Sequence, residues 1–217
     1  MQQKTLKVFQ VDITNHCSAV CDYCPHPTHE RARGFIGLGT FAQAMRVASN
    51  DIVQLHHFGE PLLHSELPEI LTIARDAGKT VGFSTNGLGR RKLDRDYLRE
   101  LIDAGLGWMR LHTDPHGIRI AGLDPPDGFE LTEHAIEADN GAKKKERVTF
   151  AGQVDGPAPV KRRRCSFIHD EWRVVLWNGD VALCCHDIEG GADESLCEGC
   201  EGYVFKNPRD DWGEYDG

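Results

Sequence analysis

Lys7-Val-Phe-Gln-Val-Asp-Ile-Thr-Asn-His-Cys17-Ser-Ala-Val-Cys21-Asp-Tyr-Cys24 is the stretch on which the reading of this chain turns. Lys7 to Ile13 reads as a β-strand, rich in β-branched and aromatic residues. Three thiols follow within eight residues. Soft thiolates at this spacing suit an iron–sulfur cluster or zinc. Three ligands leave one iron of a cubane open, and an open iron is what a reactive cluster needs to grip a small molecule. A structural zinc usually takes four ligands in two pairs, and one such set exists: Cys21, Cys24, Cys197 and Cys200.

Outward from this stretch, strand and helix patterns alternate. Phe41 to Ser49 is expected to form a short helix, and Asp51 to Phe58 a second strand closed by Gly59-Glu60-Pro61. Ser65 to Ala77 has helical spacing, with Leu67, Ile70, Leu71 and Ala74 on one face and Gly78 as its stop. Val81 to Ser84 is a third strand, ended by Asn86-Gly87, and Trp108 to His112 a fourth. Between them Asp94 to Ala104 is helical, with Leu98, Leu101 and Ile102 apolar. This rhythm predicts parallel strands with crossover helices, an α/β barrel or open sheet.

Beyond Asp114, prolines and glycines break the rhythm. Phe129 to Ala138 is expected as a helix, Arg147 to Ala151 as a fifth strand and Gly152 to Pro159 as a linker. Trp172 to Trp177 and Val181 to Cys184 flank Asn178-Gly179, a strong hairpin signal. The chain thus divides into residues 1–155, a partial barrel, and 156–217, a small hairpin module. Cys165 follows the fourth strand too soon for two full strand–helix units. A truncated barrel is expected, its gap partly covered by the hairpin module.

The whole chain has 217 residues, 40% of them apolar, enough to bury a core for one domain and a small appendage. No apolar run approaches the roughly 20 residues that span a bilayer. Met1 to Lys7 is polar and resembles neither a signal nor a transit peptide, so a cytoplasmic protein without membrane contact is expected. In a reducing compartment eight cysteines read as metal ligands or catalysts rather than disulfides. A net charge of −9 argues against broad affinity for nucleic acid. Two basic runs, Lys143-Lys144-Lys145 and Lys161 to Arg164, keep a nucleic acid or an acidic substrate open as a partner, although solvated surface is the blander reading.

Cys-x3-Cys-x2-Cys, with Tyr23 before the last cysteine, resembles the signature of the radical S-adenosylmethionine (SAM) superfamily. His57-Phe58-Gly59-Glu60-Pro61 is similar to that family's Gly-Gly-Glu-Pro segment, with Phe58 where the family has its first glycine. Ser84-Thr85-Asn86-Gly87 resembles the polar end of its third strand, and Arg31 to Met45 the segment after its cluster loop. The likeness covers roughly residues 7 to 114. It implies a partial TIM-like (β/α) barrel with a [4Fe–4S] cluster on Cys17, Cys21 and Cys24. SAM would chelate the open iron, flanked by Tyr23 and Pro61. Backbone carbonyls of Gly59 and Glu60 would receive its amino group, and Ser84 and Asn86 its ribose or carboxylate. One electron, from a donor such as flavodoxin or ferredoxin, would cleave SAM to a 5′-deoxyadenosyl radical. That radical would take a hydrogen atom from a polar small-molecule or peptide substrate. The plainer alternatives are a strand-ending turn for Ser84 and Asn86, and a capping or surface carboxylate for Glu60.

Cys165, Cys184, Cys197 and Cys200 resemble the ligands of an auxiliary [4Fe–4S] cluster in the twitch module, a shortened SPASM extension. A zinc clip or free thiols are the alternatives. Cys185 is left over. It could replace Cys184, be a buried structural thiol, or donate a hydrogen atom to a substrate radical. An auxiliary cluster near the substrate would accept a second electron and favour dehydrogenation; quenching by a thiol would favour epimerisation. The compact outline resembles aminocyclitol dehydrogenases of antibiotic biosynthesis. Modification of a peptide would usually need a leader-binding domain, and none fits ahead of residue 7. A nucleotide-linked substrate is a further alternative, and a colourless zinc-binding interaction module is the non-enzymatic rival. The carboxyl ends of the strands nominate Asp12, Asn15, His16, His56, His57, His112 and Asp114, with His and Asp as candidate bases. His186 and Asp187 are expected to tune the auxiliary cluster.

Overall fold

The computed structural model describes residues 5–21, 24–113, 122–135 and 171–191. In chain order it contains β1 (Lys7–Val11), α1 (Leu38–Val47), β2 (Ile52–Gln54), α2 (Leu67–Asp76), β3 (Thr80–Thr85), α3 (Arg95–Ala104), β4 (Leu106–Thr113), β5 (Glu130–Ala135), β6 (Trp172–Val175) and β7 (Val181–Ala182). Among the described residues these strands form one seven-stranded sheet in the order β5-β4-β3-β2-β1-β6-β7. Every neighbouring pair is parallel except β6 with β7. The result is a mixed, mostly parallel α/β sheet, as the strand–helix rhythm predicts.

Each helix forms for a local reason and buries one stripe. Asp94 caps α3 by accepting from the Tyr97 amide at 2.9 Å, and Gly105 ends it at a φ of 127°. α2 carries Pro68 in its first turn and buries Leu67, Ile70, Leu71 and Ala74. These side chains meet Val11, Val53, Val81, Phe83, Met109 and Leu111 of the sheet in the main core. Along the strands those apolar residues alternate with Gln10, Asp12, Gln54, His56, Ser84, Arg110 and His112. Because strand side chains alternate between faces, the surface away from the helices is the polar one. A bulge between Val8 and Gln10 shifts the register of β1 and keeps Val8 on the core side.

Three expectations need correction. Of the helix expected over Phe129–Ala138, the described part is a strand: Glu130–Ala135 is β5, paired with β4 over six residues from Trp108 opposite Glu130 to Thr113 opposite Ala135, and residues 136–138 lie outside the described residues. Glu, Leu and Ala are good helix formers, but pairing with an open sheet edge overrides so weak a preference. The second strand is confined to Ile52–Gln54, because His56-His57-Phe58 turns away to carry Gly59 back across β1. The hairpin is shorter too, Trp172–Val175 and Val181–Ala182, and β6 lies directly along β1. Arg147–Ala151, Gly152–Pro159 and the expected boundary at 155 lie outside the described residues. No described helix is long and apolar enough to cross a membrane.

Candidate active site

The cysteine loop is buckled at its root by Asn15. Its side-chain amide donates to the Ala32 carbonyl and its carbonyl oxygen accepts from the Gly34 amide, both at 2.8 Å. The Asn15 main-chain carbonyl accepts from Arg33 at 2.9 Å and faces His26 at 3.1 Å. Thr14 adds a hydroxyl bond to the Gly34 carbonyl at 2.8 Å. These bonds pin both limbs of the loop where it leaves and re-enters the sheet. Asn15, one of the residues nominated at the strand ends, buckles the loop root in place. His16 stacks on Phe35 at 4.6 Å, also a packing role.

Cys17, Cys21 and Cys24 are half-buried on this loop, and the Cys24 amide donates to the Cys21 carbonyl at 3.1 Å. Burial pushes the Cys24 thiol up to about 11, helped by Cys21 and Cys17, and raises that of Cys17, helped by Glu60 and Cys21. Such thiols ionise when a metal takes the proton's place. Among the described residues no three His, Cys, Asp or Glu groups converge on a single ion. A cubane asks for something else, one thiolate on each of three irons. Three thiols kept together on a braced loop fit a cluster with an open corner.

Two other segments meet this loop. Gly59 lies so close that an added Cβ would sit 1.8 Å from the Thr14 carbonyl oxygen, and the Glu60 amide donates to the His16 carbonyl at 2.7 Å. The Glu60 carboxylate, 2% exposed, accepts from the Leu62 amide at 2.9 Å, the Thr85 hydroxyl at 2.5 Å and the Asn86 amide at 2.7 Å. It thus caps the 3-10 turn Pro61–Leu63 and ties it to the end of β3. Burial pushes this carboxyl up to about 7 against the pull of those three donors. Asn86 completes the chain: its carboxamide nitrogen donates to Cys17 Sγ at 3.6 Å and its oxygen accepts from the Leu88 amide at 2.7 Å. Its side chain thus lies against Cys17, and a ribose or carboxylate contact stands as what the resemblance implies. The Ser84 amide donates to His56 Nδ1 at 3.2 Å, and His56, kept neutral down to about 3 by burial, lies near Arg110 and His112.

A third segment closes over β1 and β2. Asp12, wholly buried, pairs through one oxygen with both terminal nitrogens of Arg31 at 3.2 Å. Arg31 Nε donates to the Ile188 carbonyl at 2.8 Å, and His57 Nε2 to the Cys185 carbonyl at 2.9 Å. Asp187 shapes this turn by accepting from the Leu183 and Gly190 amides. Trp177 Nε1 donates to the Ala32 carbonyl at 3.2 Å, and Gly34 leaves room for its ring. The hairpin therefore docks on the descending limb of the cysteine loop, and Cys184 and Cys185 are buried there. Asp187 acts on the backbone of its own turn. Tyr23, Asp114, Cys165, Cys197 and Cys200 lie outside the described residues. Arg31 was missed as a site residue, since nothing local ties it to Asp12.

No family model matches the chain. It is 29% identical over 121 residues to 7,8-dihydro-6-hydroxymethylpterin dimethyltransferase of Methanocaldococcus jannaschii, covering 52% of this chain and 23% of that protein. It is 27% identical over 134 residues to a probable GTP 3′,8-cyclase of Methanococcus maripaludis, covering 59% and 41%. The chain thus spans less than half the length of either relative. Among solved structures it resembles BtrN in complex with AdoMet and 2-DOIA, with a TM-score of 0.62 and 17% identity over 86% of this chain and 76% of that one. BtrN in an open conformation gives 0.51 at 16% identity, over 85% and 72%. The fold is the TIM-like fold of BtrN. The two relatives are enzymes of the radical SAM type. Together these likenesses support the radical SAM superfamily, and with it a [4Fe–4S] cluster and SAM.

Proposed function

We propose that this chain is a radical SAM enzyme that oxidises a polar substrate by removing a hydrogen atom from an unactivated carbon. The observation that carries the reading is the meeting of three segments: the cysteine loop, the Gly59-Glu60 turn braced on it, and Asn86 reaching Cys17. Cys17, Cys21 and Cys24 would hold the [4Fe–4S] cluster. Gly59 and Glu60 would present backbone carbonyls to the cofactor's amino group. When bound, the cluster and SAM supply the one-electron cleavage that generates the 5′-deoxyadenosyl radical.

The chain's own residues position and shield. Asn15 and Thr14 fix the loop root, Glu60 locks the second and third strand ends together, and Arg31 and Trp177 draw the hairpin over the site. Dehydrogenation is favoured because Cys184 is buried in the turn docked beside the cysteine loop. With Cys165, Cys197 and Cys200 it would hold an auxiliary cluster able to accept the second electron. Cys185, Asp114 and His112 are the chain's remaining candidates for hydrogen or proton transfer.

The test is anaerobic reconstitution followed by mass spectrometry for 5′-deoxyadenosine under a strong reductant. Expected are a brown protein and SAM cleavage; Cys17→Ala should abolish cleavage and lose the iron of one cluster while the hairpin cluster keeps some colour. Intact SAM with a loaded cluster sinks the reading. A redox balance of product against 5′-deoxyadenosine separates oxidation from epimerisation.

A further inference from the structure

Two residues before Cys17 and two after Cys24, one guanidinium ties the chain together. The Asn15 carbonyl accepts from one terminal nitrogen of Arg33 at 2.9 Å and lies 3.1 Å from His26 Nε2. A carbonyl can only accept, so His26 carries its proton on Nε2. The other terminal nitrogen of Arg33 donates to the His26 carbonyl at 2.8 Å. A single planar fork thus grips both ends of the segment that bears the three thiols. The amide of the same His26 donates to the Cys24 thiol. The Asn15 and Thr14 side chains do something different: they reach Ala32 and Gly34, well past Cys24. Arg33 also lies against His29 Nε2, and no described carboxylate forms an ion pair with it.

We propose that Arg33 is a positioning residue for the cluster on Cys17, Cys21 and Cys24: its fork closes the cysteine loop, and its charge favours the reduced state of the cluster. This rests on the cluster reading proposed above. A reduced cubane carries one more negative charge than an oxidised one. A fixed cation beside the ligand loop stabilises that charge, as does an amide held against a ligand sulfur. Burial raises the Cys24 thiol most, and the His26 amide and the Arg33 charge pull against it. Arg33 is an exposed residue, so solvent screens its charge and the fork is the larger of its two effects. A lysine would keep the charge but offers one nitrogen in place of the fork.

The test takes the full chain carrying Cys197→Ala and Cys200→Ala as parent, so that the N-terminal thiols hold whatever cluster forms. SAM is left out throughout. Iron release to a chelator under anaerobic conditions and an EPR-monitored redox titration are read on the parent, on Arg33→Gln and on Arg33→Lys. Arg33→Gln should release iron at least tenfold faster. Its ratio of reduced to oxidised cluster at a fixed potential should fall at least threefold, a midpoint lower by about 28 mV at 59 mV per tenfold. Arg33→Lys should also release iron faster, yet keep the parent's midpoint. An Arg33→Gln protein with the parent's far-UV spectrum but no cluster, while Arg33→Lys assembles one, supports the role as well. The proposal is overturned if Arg33→Gln matches the parent in release and midpoint. It is equally overturned if both variants lose iron faster with neither midpoint moved, which is the mark of a merely structural residue. A parent that assembles no [4Fe–4S] cluster brings down the proposed function and this inference together; a loaded parent with indifferent Arg33 variants brings down the inference alone.

Discussion

Gly59→Ala should damage the site more than any other single methyl group. A Cβ there would lie 1.8 Å from the Thr14 carbonyl oxygen, 2.6 Å from its carbon and 3.0 Å from Asn15 Cα. All three are backbone atoms, so no rotamer change relieves the clash. Restoring van der Waals contact means moving the 58–60 turn off the cysteine loop by roughly 1.5 Å, since carbon–oxygen contacts settle near 3.3–3.5 Å. That shift breaks the bond from the Glu60 amide to the His16 carbonyl, now 2.7 Å, at about 1 kcal/mol. Overpacking a tight site adds about 1–3 kcal/mol. The total expected loss is therefore about 2–4 kcal/mol, with the loop root displaced. Urea unfolding of the metal-free protein would read the stability, and absorbance near ~400 nm after reconstitution the cluster content. A variant with wild-type midpoint and full cluster content would refute the close approach of these two segments and the brace built on it.

Asn86→Ala removes the donor to Cys17 Sγ while leaving the thiol in place. The cluster should still assemble, but its midpoint in an EPR-monitored titration should fall, because hydrogen bonds to sulfur favour the reduced state. Acidification should destabilise the protein. His56 and His57 have folded values near 3, below their ordinary 6.5, so their stabilisation is complete above 6.5 and lost as pH falls toward 3. Asp12 and Glu60, raised to about 6 and about 7, act in the opposite sense: their contribution is full below about 4 and disappears as pH rises through those values. His57→Gln should therefore flatten the loss between pH 6.5 and 5 by at most about 2 kcal/mol, read from denaturant midpoints at each pH. Gly34→Ala would place a methyl 2.5 Å from the Trp177 ring and free its indole from Ala32. A red-shifted tryptophan emission with about 1–2 kcal/mol of destabilisation is expected, and an unchanged spectrum would contradict the docking of the hairpin.

What the sequence disclosed is what is local. The cysteine triplet, the Gly59-Glu60-Pro61 turn and the Asn178-Gly179 hairpin each declare themselves within a few residues, as do α2 and α3 by period and caps. The capping of Leu62 by Glu60 was among the readings weighed, but its tie to Asn86 and the hold of Asn86 on Cys17 were hidden because they depend on partners 26 and 69 residues away. A carboxylate that accepts three donors looks, in a string, like any surface Glu. β5 was misread for a related reason: its helix-forming residues become a strand only because β4 offers an edge. The parallel seat of β6 on β1 spans more than 160 residues of chain, and no pairwise pattern in the sequence announces it.

The position of β6 carries the deeper consequence. Because it extends the sheet beside β1, the turn that follows β7 falls over the carboxyl ends of β1 and β2, where the cysteine loop begins. Both of its main-chain anchors, the carbonyls of Cys185 and Ile188, are carried by neighbours of Cys184. Any ligand drawn to Cys184 therefore pulls on the same turn that holds His57 and Arg31, and through Arg31 on Asp12. On the proposed reading, cluster assembly in the hairpin would be linked through this turn to the seats of His57 and Arg31. Cys184→Ala should alter the environment of His57 in the 15N spectrum even though the two side chains have no bond in common. An identical His57 signal in wild type and variant, both reconstituted, would show that the turn holds its shape without its thiol.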